Sequence, residues 1–216
     1  MNFSPRPASH SHALTSSPHH FSYSPSAFIS YPSSFILSPS MSSPPLSSLE
    51  FLPYLDDRGQ LPTQFQGKVG VYAIFDQAQI LQYIGYSRDI YLSLKQHLVR
   101  QPQSCYWLKA QTIDRPSRTI LEEIRDAWIA ENGSVPSGNG ADEPKWNHAI
   151  DVKSMLTQAE QDSYQGAIDE LTQIKVLKQA ARRVEAEVLN VLKSRGVQEE
   201  IRFNPKLKET GLLDLK

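Results

Sequence analysis

The sequence is short of cysteine, of long apolar runs and of net charge, and each shortage excludes a class of protein. Cys105 is the single cysteine among 216 residues, which excludes an internal disulfide and a zinc site built from several cysteines. No apolar run approaches the roughly 20 residues that span a bilayer, so we expect no membrane insertion. The 22 basic and 23 acidic residues nearly balance, so any nucleic-acid binding must come from a local patch.

Acidic residues are absent from residues 1–49, where serine and proline dominate. Arg6 is the only lysine or arginine in this segment, which has no periodic apolar face and is predicted to be disordered. An acid-poor, hydroxyl-rich leader is typical of a transit peptide, and the shortage of arginine favours the chloroplast stroma over the mitochondrion. We expect cleavage between about residues 35 and 50. An ordinary disordered tail is the alternative.

The rest of the chain predicts a small α/β domain with a helical extension. Residues 50–66 contain turn-forming residues and predict an irregular lead-in, and residues 67–150 predict the order β-β-α-β-α. The strands are expected at Lys68–Phe75, Ile80–Ile84 and Cys105–Ile113, and the helices at about Ser87–Gln101 and Ser117–Glu131.

The first two strands predict a tight hairpin that places two tyrosines on one face. With the turn centred between Gln77 and Ala78, Tyr72 would pair directly with Tyr83, their Cβ atoms about 5 Å apart. Gly70 and Gly85 would form the next pair on that face, which leaves room for another group to approach the backbone closely.

Residues 151–216 predict a helical extension. Thr157 and Glu160 match a capping box that opens a long helical stretch over residues 157–195, and Gly196 is its expected C-cap. The apolar residues of this stretch recur every three to four positions, which predicts an amphipathic helix. Such a helix packs across its own domain or pairs with a protein partner. The stripe consists of Ile168, Leu171, Ile174, Leu177, Ala181, Val184, Val188 and Val191.

Two tripeptides in the hairpin resemble a known pair of motifs. GVY at residues 70–72 and YIG at residues 83–85 are similar to the motifs of the GIY-YIG nuclease family, as in the N-terminal domain of the bacterial-type excinuclease. The resemblance covers roughly residues 67–148. It extends into the following helix through Ser87, Asp89 and His97.

The resemblance implies cleavage of phosphodiester bonds in plastid DNA or RNA with Mg²⁺ or Mn²⁺. It assigns Tyr72 and Tyr83 to positioning and activating the attacking water, with a helix arginine on the phosphate and a glutamate on the metal. A tyrosine with the ordinary pKa of about 10 needs help to act as a base near neutral pH. Gly70 and Gly85 would allow the substrate close to the strands.

The position of the family's arginine, ten residues after the second tyrosine, is occupied by Ser93. Arg88 and Lys95 are near in sequence but lie at other helical azimuths. Arg88 is the candidate for a substitute phosphate contact. His97 would supply a partial cation, although a histidine on a helix flank is more often a packing residue.

The metal carboxylate and the late asparagine of the family are matched loosely. Glu123 flanks the apolar stripe of the second predicted helix and is the candidate metal ligand, whereas Glu122 points away from the stripe. Surface charge is the alternative interpretation for both acids. Asn147 ends the segment PKWN at residues 144–147, which is similar to the family's Pro-x-aromatic-Asn, and is a candidate substrate contact.

Two functions follow from these matches and departures. The first is a degenerate domain that binds nucleic acid or a protein partner, cuts nothing and needs no cofactor. The second is an active metal-dependent endonuclease. The missing arginine favours the first, because removing a charge-stabilising group of this kind commonly costs orders of magnitude in rate.

Overall fold

The computed structural model describes residues 44–216, so the greater part of the transit peptide expected over residues 1–49 lies outside the described residues. The strands are β1 (Leu52–Pro53), β2 (Gly70–Phe75), β3 (Leu81–Ser87), β4 (Trp107–Thr112), β5 (Ile150–Asp151) and β6 (Leu212–Leu213). The α-helices are α1 (Ile90–Arg100), α2 (Arg118–Glu131), α3 (Glu143–Asn147), α4 (Gln158–Gln165) and α5 (Glu170–Ser194). This mixed α/β architecture with a long C-terminal helix confirms the predicted fold class.

The central sheet is antiparallel, in the order β1-β4-β2-β3. The three predicted strands form its larger part, and β1 adds a short edge strand from the predicted lead-in. Alternate residues of β2 enter different cores, as the two-residue period of a strand requires. Tyr72 and Ile74 face α1 and α5, whereas Val71 and Ala73 face α2.

The hairpin register differs from the predicted one by two residues. Tyr72 pairs with Gly85, and Tyr83 pairs with Ile74. The direct Tyr72–Tyr83 pair is therefore wrong, as is the Gly70–Gly85 pair. Because a shift of two keeps every side chain on its face, the tyrosines still share one side of the sheet.

The connecting turn explains this register. The Asp76 carboxylate accepts hydrogen bonds from the backbone N–H groups of Ala78 and Ile80, both at 2.9 Å. Gln79 adopts a positive φ of 61°, which closes the turn beside the irregularity in β2–β3 pairing. An aspartate side chain commonly organises a turn by accepting hydrogen bonds from backbone N–H groups a few residues further along the chain.

The helical extension is broken into two helices. Thr157 and Glu160 form the predicted capping box of α4, and Gly196, at a φ of 76°, follows the end of α5 as predicted. Gly166 ends α4, and the Asp169 side chain accepts from Thr172 N–H to start α5. The new N-cap, Asp169, lies only three residues after Gly166. It divides into two helices the stretch that the apolar periodicity predicts as one.

Helix α5 buries its apolar stripe within the domain. Leu177 and Val184 lie in the core beneath the sheet, together with Ala180 and Ala181, whose small side chains allow the helix to approach closely. Ile168, which precedes the helix, is fully exposed, and Leu171 in its first turn is 70 % exposed. Of the two alternatives, the structure therefore shows most of this stripe packed across the helix's own domain.

Residues 44–49, expected to be part of the disordered leader, pack against α2. Leu46 is buried, and the backbone N–H groups of Leu46 and Ser47 donate to the Glu131 carboxylate at 2.6 and 2.8 Å. The indole of Trp128 donates to the Pro44 carbonyl at 3.1 Å. The folded part thus begins no later than Pro44, which moves the predicted boundary after residue 49 toward the N-terminus.

Within residues 44–216, no helix combines the length and the apolar character needed to cross a membrane.

The contact between residues 44–49 and α2 is testable through Glu131. Glu131→Gln removes the charge that accepts two backbone hydrogen bonds, and we expect the free energy of unfolding to fall by about 1 kcal/mol. Glu123→Gln, on the same helix but exposed, is the control and should change it by less than about 0.5 kcal/mol. Urea unfolding of the full chain measures both, and equal effects would contradict this packing.

Candidate functional site

The predicted site tyrosines lie in an aromatic group that we call the tyrosine cluster, formed by Tyr72, Tyr83, His97 and Trp146. The Tyr83 ring stacks on the Trp146 ring at 5.0 Å with an interplanar angle of 3°. The His97 ring lies 4.7 Å from that of Tyr83 and 5.7 Å from that of Tyr72. All four residues are buried. The hairpin, α1 and α3 therefore bring the candidate residues together inside the core.

Both tyrosine hydroxyl groups have partners within the protein. The Tyr72 hydroxyl lies 2.9 Å from Nε2 of His97, and the Tyr83 hydroxyl donates to Oδ1 of Asn147 at 2.7 Å. The Asn147 amide in turn donates to Glu143 at 2.6 Å. The PKWN segment thus reaches the tyrosines through both Trp146 and Asn147.

Gly85 provides the space in which the two tyrosines meet. A Cβ atom at this position would lie 2.5 Å from Cε1 of Tyr83 and 2.9 Å from the Tyr72 hydroxyl oxygen. Contacts this short are not tolerated without movement of the rings. The room that the sequence predicted at Gly85 is therefore filled by the protein's own tyrosines.

Gly70 serves a different contact. A Cβ atom there would lie 2.1 Å from the backbone oxygen of Gln111, on the neighbouring strand β4. Its small size thus permits the close pairing of β2 with β4. The structure uses Gly70 at the end of the strand and Gly85 in the tyrosine cluster, so the two predicted substrate-binding glycines do not share a surface.

Burial controls the protonation of the cluster. Desolvation raises the pKa of Tyr72 well above its ordinary value, and the nearby Tyr83 raises it further, partly offset by the Ser93 hydroxyl. Desolvation also raises the pKa of Tyr83 to about 12, against the effect of the hydrogen bond with Asn147. Burial lowers the pKa of His97 to about 3, with a contribution from Arg100. Near neutral pH all three side chains are therefore uncharged.

Ser93, which occupies the position of the family's arginine, lies on α1. Of its proposed substitutes, His97 also lies on α1 and Arg88 lies just before it. The Ser93 hydroxyl donates to Oγ of Ser87 at 2.8 Å. Arg88 is exposed in the turn, while Asp89 caps α1 by accepting from Leu92 N–H. His97 faces the cluster but is neutral, so the partial cation expected from it is not supplied.

The acids proposed for a metal lie on the other side of the sheet from the tyrosines. Glu122 and Glu123 belong to α2, which packs on the face of Val71 and Ala73. Glu122 accepts from the Tyr86 hydroxyl at 3.0 Å and pairs with Arg118, while Glu123 is exposed. The structure therefore does not bring Glu123 together with the tyrosine cluster.

Glu143, which no sequence motif marks, is the carboxylate that reaches the cluster. It contacts Asn147, and its charge contributes to the raised pKa of Tyr83. Among residues 44–216, no three His, Cys, Asp or Glu side chains converge as a metal site would require. Mg²⁺ is often held by one or two carboxylates plus substrate phosphates, and Glu143 with Asn147 is the donor pair beside the tyrosines that fits such a role.

Asn139 is likewise marked by no sequence motif, and it closes the edge of the sheet beside the cluster. Its side-chain amide accepts from Ile84 N–H and donates to the Ile84 carbonyl, both at 2.7 Å. This pairing satisfies the backbone N–H and C=O of Ile84, in the middle of the edge strand β3, where another strand could otherwise pair. A Gly/Ser-rich loop gives no sequence signal for such a contact.

The chain has a partial relative among known proteins. Over 74 residues, 32 % of this chain, it is 36 % identical to the bifunctional monothiol glutaredoxin-S16, chloroplastic, of Arabidopsis thaliana. The match covers 25 % of that protein, so this chain spans about a quarter of its length. No family model matches the chain.

The single thiol of this chain is not placed for exchange chemistry. Cys105 is fully buried, and desolvation raises its pKa to about 12, against contributions from Tyr54 and Arg195. Thiol–disulfide exchange needs an accessible thiolate. Cys105 is a packing residue of the core beneath the sheet.

The space above Gly85 gives a direct test of the cluster. We expect Gly85→Ala to force the tyrosine rings apart and to lower the free energy of unfolding by about 2 kcal/mol. Gly166→Ala is the control, because Gly166 has an ordinary helical φ of −78° at the end of α4 and its added Cβ atom would approach no atom closer than 3.1 Å, the Asp162 backbone oxygen. Chemical denaturation compares the two variants, and equal small effects would contradict the close contact at Gly85.

The buried imidazole predicts a pH dependence of stability. The folded-state pKa of His97 is about 3, below the ordinary 6.5. Near pH 5 the imidazole is therefore protonated in the unfolded chain and neutral in the folded chain. Stability should therefore fall as the pH drops through about 6.5, by ~2 kcal/mol between pH 7 and pH 5.

Two variants separate the contribution of His97 to this pH dependence from that of the other histidines. His97→Gln should remove that part of the pH dependence, whereas His148→Gln, at an exposed position, should retain it. Denaturant midpoints at the two pH values report the difference. An unchanged pH profile in His97→Gln would contradict the neutral, buried assignment.

Proposed function

We propose that this chain is a GIY-YIG-like domain that binds nucleic acid or a protein partner without cleaving phosphodiester bonds. The observation that supports this most directly is the burial of Tyr72 and Tyr83 with both hydroxyl groups already hydrogen-bonded inside the protein. A tyrosine that is to orient an attacking water needs its hydroxyl turned toward that water. Here the hydroxyls are turned toward His97 and Asn147.

The electrostatics of the cluster support the same proposal. The raised pKa values of Tyr72 and Tyr83 oppose loss of a proton, which a catalytic base requires. Phosphoryl transfer also needs positive charge around the equatorial oxygens. Ser93 supplies none, and His97 is neutral because its pKa is lowered to about 3.

We also propose that the protein acts in the chloroplast stroma, with the mitochondrion as the alternative. The acid-free, serine- and proline-rich residues 1–49 support organelle import. The name of the Arabidopsis relative describes that protein as chloroplastic. Because residues 44–49 pack on α2, a transit peptide would be cleaved before Pro44, inside the earlier part of the expected range.

The relative is described as bifunctional, and we infer that this chain corresponds to the part that is not the glutaredoxin. The buried Cys105, with its raised pKa, does not suit a monothiol mechanism. The shared segment covers only a quarter of the relative, which leaves room there for a separate thiol domain.

An active endonuclease that uses Mg²⁺ or Mn²⁺ is the second candidate. The convergence of Tyr72, Tyr83 and Asn147, which the family resemblance marks, favours it. In that case Glu143 and not Glu123 would hold the metal ion, which would polarise a phosphate oxygen when bound. The tyrosine cluster would then have to open, since Trp146 covers the face of the Tyr83 ring.

A cleavage assay separates the two candidates. The full chain is incubated with supercoiled, branched and single-stranded DNA and with RNA, in Mg²⁺ or Mn²⁺. We expect intact substrates with the wild type. Cleavage by the wild type that is lost in Tyr72→Phe and Glu143→Gln would overturn the proposal.

Two further variants address the missing arginine. If charge at this position limits activity, Ser93→Arg should gain cleavage of about 100-fold or more over background, because one such group is worth that much. The neutral, similarly long Ser93→Gln is the control and should gain none. Fluorescence anisotropy with labelled DNA and RNA measures binding in parallel, and its absence would overturn the nucleic-acid half of the proposal.

A further inference from the structure

A cavity of about 960 Å³ opens between the end of α1, helix α3 and the C-terminal extension. Sites for small molecules are typically concave, mostly apolar and roughly 300–1000 Å³ in volume. The apolar wall of this cavity is formed by Ile150, Met155, Val184, Val188 and Leu212.

The polar part of the lining is mainly basic. Lys145, His148 and Lys153 lie around it with Arg100, and Asp151 is its only acid among the lining residues. The Arg100 guanidinium is already engaged, since it donates to the Trp146 carbonyl and pairs with Asp214, at 2.9 and 2.8 Å.

Lys153 is the cation of the lining that remains available. Lys145 pairs with Asp142 at 2.7 Å, whereas Nζ of Lys153 forms no ion pair among the described residues. The Asp151 carboxylate accepts a hydrogen bond from the Lys153 backbone N–H, so it is directed toward the backbone of its own turn. An exposed Lys153 thus adjoins an apolar wall on which Met155 is 44 % exposed.

We propose that this cavity binds a small amphipathic anion. The single carboxylate, sulfonate or phosphate group of this ligand pairs with Lys153, and the apolar body of the ligand packs on Met155 and Val188, which are exposed or half-buried in the lining. An uncharged apolar compound leaves the lysine without a partner, and a compact inorganic anion leaves the apolar wall exposed. A ligand with both features gains from burial of apolar area and from the ion pair.

The site is separate from the proposed function of the tyrosine cluster. Lys145 and Trp146 are neighbours on α3, but they belong to the cavity lining and to the cluster respectively. A test of ligand binding in the cavity is therefore independent of whether the tyrosine cluster binds or cleaves nucleic acid.

The probe for the test is 8-anilinonaphthalene-1-sulfonate, which joins one anionic group to an aromatic body. We expect saturable binding at one site of the folded full chain, seen as enhanced fluorescence. Lys153→Gln should weaken it ~3-fold, the size of one partly exposed ion pair. Lys68→Gln, an exposed lysine outside the cavity lining, is the matched control and should leave the affinity unchanged.

Filling the cavity tests its apolar wall. Val188→Trp should weaken binding by more than about tenfold, since the larger side chain occupies the ligand's volume. Thermal unfolding confirms that each variant is folded, because a loosened core also binds this dye. Lys153→Gln, at an exposed position, keeps the test valid if Val188→Trp does not fold.

Competition identifies the ligand chemistry. Decanoate should displace the dye at lower concentration than decanol or inorganic phosphate, which carry only the apolar or only the anionic feature. Displacement by decanol as effective as that by decanoate would overturn the anionic part of the proposal. Non-saturable binding, or equal binding in wild type, Lys153→Gln and Val188→Trp, would overturn the site itself.

Discussion

The packing of two tyrosine rings over a residue without a side chain is the contact on which the rest of the site depends. Gly85 lies opposite Tyr72 in the hairpin, and the ring of Tyr83 enters the space that a Cβ atom would take. Because the strands hold both rings on one face, α1 and α3 can close over them with His97 and Trp146. The tyrosine cluster is therefore part of the hydrophobic core.

Burial then decides the chemistry of these groups. In a low-dielectric surrounding the uncharged forms are favoured, so the pKa values of the tyrosines rise and that of His97 falls. Each hydroxyl finds a partner within the protein, as buried polar groups must. The hairpin is thus a neutral, hydrogen-bonded packing unit, which is the physical basis for proposing a domain that binds without cleaving.

The C-terminal extension completes the same side of the sheet. Helix α5 covers it with small and branched residues, and the tail returns as β6 to pair with β5. Arg100 ties this extension to the tyrosine cluster, because it donates to the Trp146 carbonyl and pairs with Asp214 near the chain's end. The cavity lies where these layers meet, so its lining combines segments distant in sequence, from Arg100 to Leu212.

The sequence by itself determined the three main strands of the sheet, the helices α1 and α2 and the shared face of the tyrosines, because periodicity, caps and an even register act locally. Only the tertiary structure placed Glu123 on the opposite face from Tyr72 and brought Glu143 to Asn147 instead. It also packed residues 44–49, whose composition predicted disorder, against α2 through Leu46 and Glu131. These outcomes depend on which layers pack together, and that is set by contacts between residues far apart in the chain, which no local pattern encodes.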